Sequence, residues 1–578
     1  MIKSRLDLTS SHARLLLGTA AFTLLAGCND PEFLDELAQD FPEVVENNGD
    51  ALTKPPTWGE CPEGLESECA TLEVPTQWLD PAGSTIEITI SRRPATAPGG
   101  SKGHLWLLDG GPGGDAAGLS AAVDGRFPGA FADYDLYVMQ HRGTGDSTRL
   151  TCPVEEDPAS EGGVTVTESE LPACLAELEA TWGEGLNGFR LTNAARDLSY
   201  AIMQTSKPND RVFVYGLSYG TLLAQRFMQI SPKLADGVIL DSVLPTYGAS
   251  YFTYDMQSDP VGEGIADLCG ADAFCASKLG ENPWARVTEL MGKLDAGHCS
   301  DLGLGSNDLG ALGTFLITSD QLRRHFLPLV YRIDRCDPSD VAVVGNYLNT
   351  IDMLLGPPPA EIPGYSDLLF LHIAFSDIND NPGGEVPSFE SLLDRCVDAN
   401  LCGFYSVSAR SLYDTWPTYP EDAYFREPLD VKTPILAMNG TLDPQTPLAM
   451  ASIIKPALKN KNQTFVTVPD SPHVVLFRAP VNTPDQPSCG AQMIHSFIDA
   501  PKKRVDTSCL ADLRLLDFDV VEPEAAFFFG TPDEWENAGD GGYALYPRVN
   551  VASLRAKIDV RRPWKLDQKL AKITADLR

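Results

Sequence analysis

The 578-residue sequence predicts an α/β fold, with a mostly parallel central sheet, helices on both faces and an inserted helical cap. Three observations predict it. Short apolar runs alternate with helical periodicity through the first half, the pattern of a parallel sheet covered on both sides. That rhythm stops near residue 248 and returns near residue 434. A Gly-x-Ser-x-Gly string falls between one apolar run and the helical pattern after it, the context of a sharp strand-to-helix turn.

Taken in order, residues 85–90 alternate as a half-buried strand should. Residues 104–108 are a short apolar run that ends in Asp109-Gly110-Gly111-Pro112-Gly113-Gly114. A third run, 136–139, leads into Arg142-Gly143-Thr144-Gly145. Residues 192–205 predict a helix, 211–215 a buried strand, 221–230 the helix after it, and 238–240 the next strand. From 248 to 425, helical patterns, prolines, glycines and cysteine pairs replace strands. Strands return at 434–439 and 464–468, with a helical stretch near 448–459 between them. A single core stops growing at roughly 250–300 residues, so an insertion or a second domain is expected.

The expected organisation is a signal peptide (1–27), an acidic tether (28–57), a first core segment (58–247), a cap (248–425), a second core segment (426–512) and a carboxyl-terminal extension (513–578). No role follows for the extension, which carries Phe527-Phe528-Phe529.

The amino terminus has an export pattern. Lys3, Arg5 and Arg14 precede an apolar run over 15–26, shorter than the roughly 20 residues a spanning helix needs. Leu25-Ala26-Gly27-Cys28 resembles the bacterial lipoprotein box, in which the cysteine is lipidated; a cleaved signal with a chance cysteine is the alternative. Lipidation at Cys28 makes the chain an exported protein anchored to a bacterial cell-envelope membrane. The stretch after it holds eight acidic residues before Lys54, the first basic one, and reads as a self-repelling tether. A formal charge of −36 argues against nucleic acid or bare anionic lipid as partner. A monomer is expected.

Thirteen cysteines are present, an even twelve once Cys28 is set aside. Cys61/Cys69, Cys152/Cys174, Cys269/Cys275, Cys396/Cys402 and Cys489/Cys509 fall close together, and Cys299 and Cys336 remain. Connectivity is left open, but the count fits an oxidising compartment. With no CxxC pair or His-rich cluster, no metal is expected, and no cofactor.

Gly216-Leu217-Ser218-Tyr219-Gly220 follows a strand and precedes a helix, which makes it a nucleophile elbow of the α/β-hydrolase fold. A serine hydroxyl needs a base oriented by a third group. On this fold an acid and then a histidine follow in the chain, each on a loop after a late strand. Asp443 follows the 434–439 strand and His473 the 464–468 strand. The glycine turn after 104–108 suits an oxyanion hole, whose donors are assigned to the amides of Gly111 and Tyr219. Pro112 has no N–H to give.

The Gly-Gly-Pro-Gly-Gly turn, the run from Arg142 to Ser147 and Gly-Leu-Ser-Tyr-Gly-Thr together resemble the prolyl and tripeptidyl aminopeptidases. So does the ending, where Cys489 and Cys509 flank a helix after His473. The match covers most of residues 58–512. It implies a serine exopeptidase releasing short units, tripeptides or proline, from peptides with a free amino terminus, under a restricting cap. The chain departs from the pattern at Gln140, where the family has Asp, and at Phe375, where it has Cys.

An exopeptidase needs a carboxylate for the substrate ammonium, and Glu263, Asp267 and Asp377 are the cap candidates. An esterase or amidase acting on small molecules would use the same triad. A non-catalytic surface lipoprotein is the third reading.

Overall fold

In the computed structural model, residues 56–61, 67–157, 159–163, 165–207, 209–356, 364–381, 383–519 and 522–536 are described. Cys28, the signal peptide and nearly all of the tether lie outside them.

Among the described residues, nine strands form one sheet: β1 (Gly59–Glu60), β2 (Glu68–Pro75), β3 (Thr85–Arg93), β4 (His104–Leu108), β5 (Asp135–Met139), β6 (Val212–Leu217), β7 (Gly237–Asp241), β8 (Ile435–Gly440) and β9 (Gln463–Val468). Their spatial order is β1-β2-β3-β5-β4-β6-β7-β8-β9. Pairing is antiparallel from β1 to β5 and parallel from β5 through β4 to β9. The helices used below are α1 (Leu119–Arg126), α2 (Leu191–Thr205), α3 (Tyr219–Ile230), α4 (Ser258–Ala271), α5 (Phe326–Arg335), α6 (Pro338–Leu355), α7 (Asp367–Ala374), α8 (Cys489–Asp499) and α9 (Glu522–Phe529).

The central strands are apolar throughout because both sheet faces are buried. Trp106, Val214 and Leu240 pack on one face with side chains of α2 and α3. Their strand neighbours Leu105, Phe213 and Ile239 pack on the other face with α1 and α8.

Between β7 and β8 the described residues form helices and loops without a named strand, and their apolar side chains divide between two cores. α4, α5 and α6 build a separate cluster around Leu316, Phe326 and Tyr347. α7 joins the main core through Leu368, Leu371 and Ile373. The described part of the carboxyl-terminal extension belongs with the first group: Phe518, Phe528, Phe529 and Trp535 are buried in it. Arg332 of α5 ties this segment down by donating to the carbonyls of Asp533 (2.9 Å), Glu534 (2.5 Å) and Glu536 (3.0 Å).

Six disulfides close Cys61–Cys69, Cys152–Cys174, Cys269–Cys275, Cys299–Cys336, Cys396–Cys402 and Cys489–Cys509. No helix among the described residues is long and apolar enough to cross a membrane.

Candidate active site

Ser218 sits between β6 and α3 at φ 54°, ψ −124°, a conformation that L residues adopt only when their surroundings enforce it. The enforcement is visible. A Cβ at Gly216 would drive into the Gly220 carbonyl, and one at Gly220 into the carbonyls of Leu108 and Asp109. The two glycines therefore let the chain turn under β4. The Ser218 amide donates to Asp241 O at 3.0 Å, fastening the turn to β7.

Asp443 follows β8 and is fully buried. Its carboxylate accepts from the amides of Gln445 and Thr446 and from the Thr446 hydroxyl, each at 2.9 Å. Burial opposes its ionisation, but His473 and these donors outweigh that and hold the carboxyl below the usual carboxylate range. His473 Nδ1 lies 2.9 Å from both Asp443 oxygens. A proton on Nδ1 makes that bond, so Nε2 is the unprotonated nitrogen of the neutral ring.

The loop carrying His473 is held by the end of β7. Asp241 accepts from the amides of Val475 and Leu476 and from the Tyr215 phenol, all at 2.8 Å. Ser242 Oγ accepts from the Val474 amide at 2.7 Å. Sequence reasoning missed both residues. Their one signal was a polar Asp-Ser pair directly after a buried apolar strand.

Ser218, Tyr219, Gly111 and His473 line one cavity of about 120 Å³. The Gly110 amide is turned to Asp109 Oδ1 at 2.7 Å, while a Cβ at Gly110 would sit 2.9 Å from that of Ser218. The glycine turn and the elbow thus pack against each other. Tyr219 has a second attachment. Its phenol meets His141 Nε2 at 3.0 Å, and His141 Nδ1 meets the Arg142 carbonyl at 2.6 Å. Burial pushes the His141 pKa down to about 4. The ring is therefore neutral, donates through Nδ1 and accepts from Tyr219.

The three cap carboxylates do not reach this cavity. Glu263 and Asp267 are exposed on α4, whose buried face is Val261, Ile265 and Cys269. Asp377 is taken up by the Tyr419 phenol and by Arg226, 3.5 Å away. Among the described residues, the carboxylates that do line the cavity are Asp109 and Asp115, at either end of the glycine turn. Two departures from the family pattern also find places. Gln140 wraps the Arg-Gly-Thr-Gly turn, accepting from the Asp146 amide and donating to its carboxylate at 3.3 Å. Phe375 stacks on Phe252 with ring centroids 5.7 Å apart.

Among the described residues, two clusters have metal-ligand chemistry. In one, Cys396 and Cys402 are joined to each other and so are not thiolates. In the other, Asp133 of the Asp133/His495/Asp499 group is paired with Lys102 at 2.5 Å. Neither borders the cavity.

One wall of the cavity depends on a buried acid pair. Tyr365 lines it, and two residues on, the Asp367 amide donates to Glu155. Burial and the neighbouring Asp367 carboxyl push Glu155 up to about 8. The folded state therefore keeps a proton that the unfolded chain releases near 4.5, and stability falls as pH rises from about 4.5 to about 8. Glu155→Gln is expected to flatten that decline in urea-unfolding midpoints. An equally steep fall in the variant would remove Glu155 as its source.

Two family models match the chain: α/β hydrolase fold over residues 104–260 and TAP-like protein over residues 402–509. Solved structures similar to it include an epoxide hydrolase from Vigna radiata, at 13% identity over 71% of this chain and 93% of that one, with a TM-score of 0.26. An esterase from Thermogutta terrifontis aligns at 13% identity, with the same coverage and a TM-score of 0.25. Epoxide hydrolase A from Mycobacterium thermoresistibile aligns at 13% identity over 70% of this chain and 92% of that one, with a TM-score of 0.26. No curated protein matches the chain.

Proposed function

The chain is an α/β hydrolase of the tripeptidyl aminopeptidase-like family, and on that premise we propose that it is a serine exopeptidase releasing short units from free peptide amino termini. The observation that carries the reading is the Asp443–His473 pair at 2.9 Å, on a cavity that also holds Ser218 in its strained turn.

His473 Nε2 takes the Ser218 proton as Oγ attacks the substrate carbonyl. The Gly111 and Tyr219 amides stabilise the oxyanion. Collapse of the tetrahedral intermediate breaks the C–N bond, and the leaving amine takes the proton from His473. Water, deprotonated by the same nitrogen, then frees the acyl group and restores Ser218. Asp443 fixes the ring and balances the imidazolium charge.

The test is release of nitroaniline from matched tripeptide nitroanilides with free and acylated amino termini. Cleavage of the free form alone is expected. Equal cleavage of both, or none beside rapid ester hydrolysis, would move the assignment to an esterase or amidase.

We also propose that the protein is an exported monomer tethered to a bacterial envelope membrane through a lipid on Cys28, with peptides rather than nucleic acid as its ligands. Six disulfides support an oxidising compartment. Cys28→Ala is expected to move the protein from the membrane fraction to the soluble fraction. A variant that stays with the membrane would exclude this anchor.

A further inference from the structure

We infer that Gln257 and Gln445 clamp one peptide group of the substrate, so that the cavity distinguishes an amide from an ester within the substrate chain. The inference rests on the peptidase reading above and names a recognition device for it.

Much of the wall of the cavity that the two glutamines line is apolar or aromatic, including Leu244, Tyr251, Phe370, Ile378 and Met450. Within that wall, Gln257 Oε1 and Gln445 Nε2 are buried and find no hydrogen-bond partner among the described residues. Native structures pair the large majority of buried polar atoms. Two unpaired ones of opposite type in the lining of one cavity point to a ligand that completes them.

Their placement is consistent with joint action. Gln257 ends the 3-10 turn Tyr251–Gln257, in which side chains three residues apart eclipse. Gln257 therefore shares a face with Tyr254. The Tyr254 phenol donates to Gln445 Oε1 at 3.4 Å, which occupies that oxygen and leaves Nε2 as the donor. Gln445 is anchored in turn, since its backbone N–H donates to Asp443 at 2.9 Å. The clamp is thus attached to the residue that orients His473.

One acceptor and one donor on the same cavity can complete a peptide group, whose single N–H and C=O point in opposite directions and so are reached from two sides. The substrate N–H donates to Gln257 Oε1, and its C=O accepts from Gln445 Nε2. An ester keeps the carbonyl but lacks the N–H, so Gln257 Oε1 stays unpaired. A site built to bond a substrate N–H discriminates against the analogue without it.

The experiment compares a tripeptide nitroanilide with two depsipeptides, each having one internal amide replaced by an ester. In the wild type, kcat/KM is expected to fall roughly tenfold or more for one of them. Gln257→Leu lowers the rate on the peptide and brings that peptide-to-depsipeptide ratio close to one. Gln257→Glu keeps an acceptor and keeps the ratio. Gln445→Leu lowers both rates together, because both substrates carry the carbonyl. Thermal unfolding of each variant verifies the fold. A wild type indifferent to all three substrates, or a Gln257→Leu protein with the wild-type ratio, overturns the clamp and leaves the peptidase standing. Failure to cleave any of the three, beside Ser218-dependent hydrolysis of a small ester, overturns both.

Discussion

Ser218→Ala is expected to lower kcat/KM for a cleaved tripeptide nitroanilide by roughly 10⁶-fold, the size of effect seen when a serine nucleophile acting as part of a triad is removed. The loss should be chemical and not structural. The turn at 218 is held by backbone contacts that an alanine retains: its amide to Asp241 O at 3.0 Å, and its carbonyl to the Thr221 amide at 2.9 Å and hydroxyl at 2.6 Å. The glycines at 216 and 220 impose the same turn on either residue. A melting temperature close to wild type should therefore accompany the loss. His473→Ala should cost about as much alone, and the double variant little more, because the two side chains act as one unit. The remaining rate would come from binding and the oxyanion amides, about 10³–10⁴-fold over water. Activity of Ser218→Ala within tenfold of wild type, on peptide or ester, would exclude Ser218 as the nucleophile.

Ser218, Asp443 and His473 could be proposed together because each follows a strand that the sequence predicts. β4, β6, β7 and β8 are buried on both faces, so each reads as an apolar run. β2 was not singled out: its burial alternates, and Glu68, Thr71 and Glu73 break the apolar signal. Disulfide partners were suggested by proximity for five pairs, and Cys299–Cys336, 37 residues apart, by what remained.

Lateral assignments in the cap failed for a physical reason. Glu263, Asp267 and Asp377 were chosen by charge and segment, whereas which way a helical residue faces depends on what the helix packs against. α4 buries its Val261/Ile265/Cys269 face and turns both acids to solvent. Asp377 meets Arg226 and Tyr419, partners more than forty residues away in the chain. The described carboxylates on the cavity, Asp109 and Asp115, flank the glycine turn, whose sequence signal lies in its glycines and not in its acids. The burial of Phe528, Phe529 and Trp535 against α5 and α6 is likewise a contact across some two hundred residues, which local periodicity does not encode.

Arg142→Ala is expected to destabilise the protein by about 3–5 kcal/mol, the range for breaking one side of a buried ion pair. Arg142 and Asp197 are both inaccessible to solvent, with Nε and Nη2 of the guanidinium 2.6 and 2.7 Å from the two carboxylate oxygens. The remaining donors bind the carbonyls of Thr76 and Gly188, each at 2.7 Å, and Pro75 at 3.2 Å. Alanine would remove the guanidinium from all of these acceptors, although Asn193 Nδ2 still donates to the Thr76 and Gly188 carbonyls, at 3.4 and 3.0 Å. It would also leave Asp197, whose carboxyl burial already pushes up against the pull of Arg142, with Trp78 Nε1 as its other bond, at 2.8 Å. Arg142→Lys restores the charge but not the five-donor fork, so an intermediate loss follows. Replacing both partners with apolar residues of similar volume should cost less than either single change, because no buried charge is left unpaired. The effect should extend to the active site. The Arg142 carbonyl orients His141, which accepts from the Tyr219 phenol beside Ser218, so kcat should fall in any variant that still folds. Denaturant unfolding of the wild type, the two matched single variants at Arg142 and Asp197 and the double variant measures the coupling. A loss below about 1 kcal/mol for Arg142→Ala, the scale of an exposed pair, would mean that solvent or a rearranged loop compensates Asp197 and that this buried fork does not hold the turn in place.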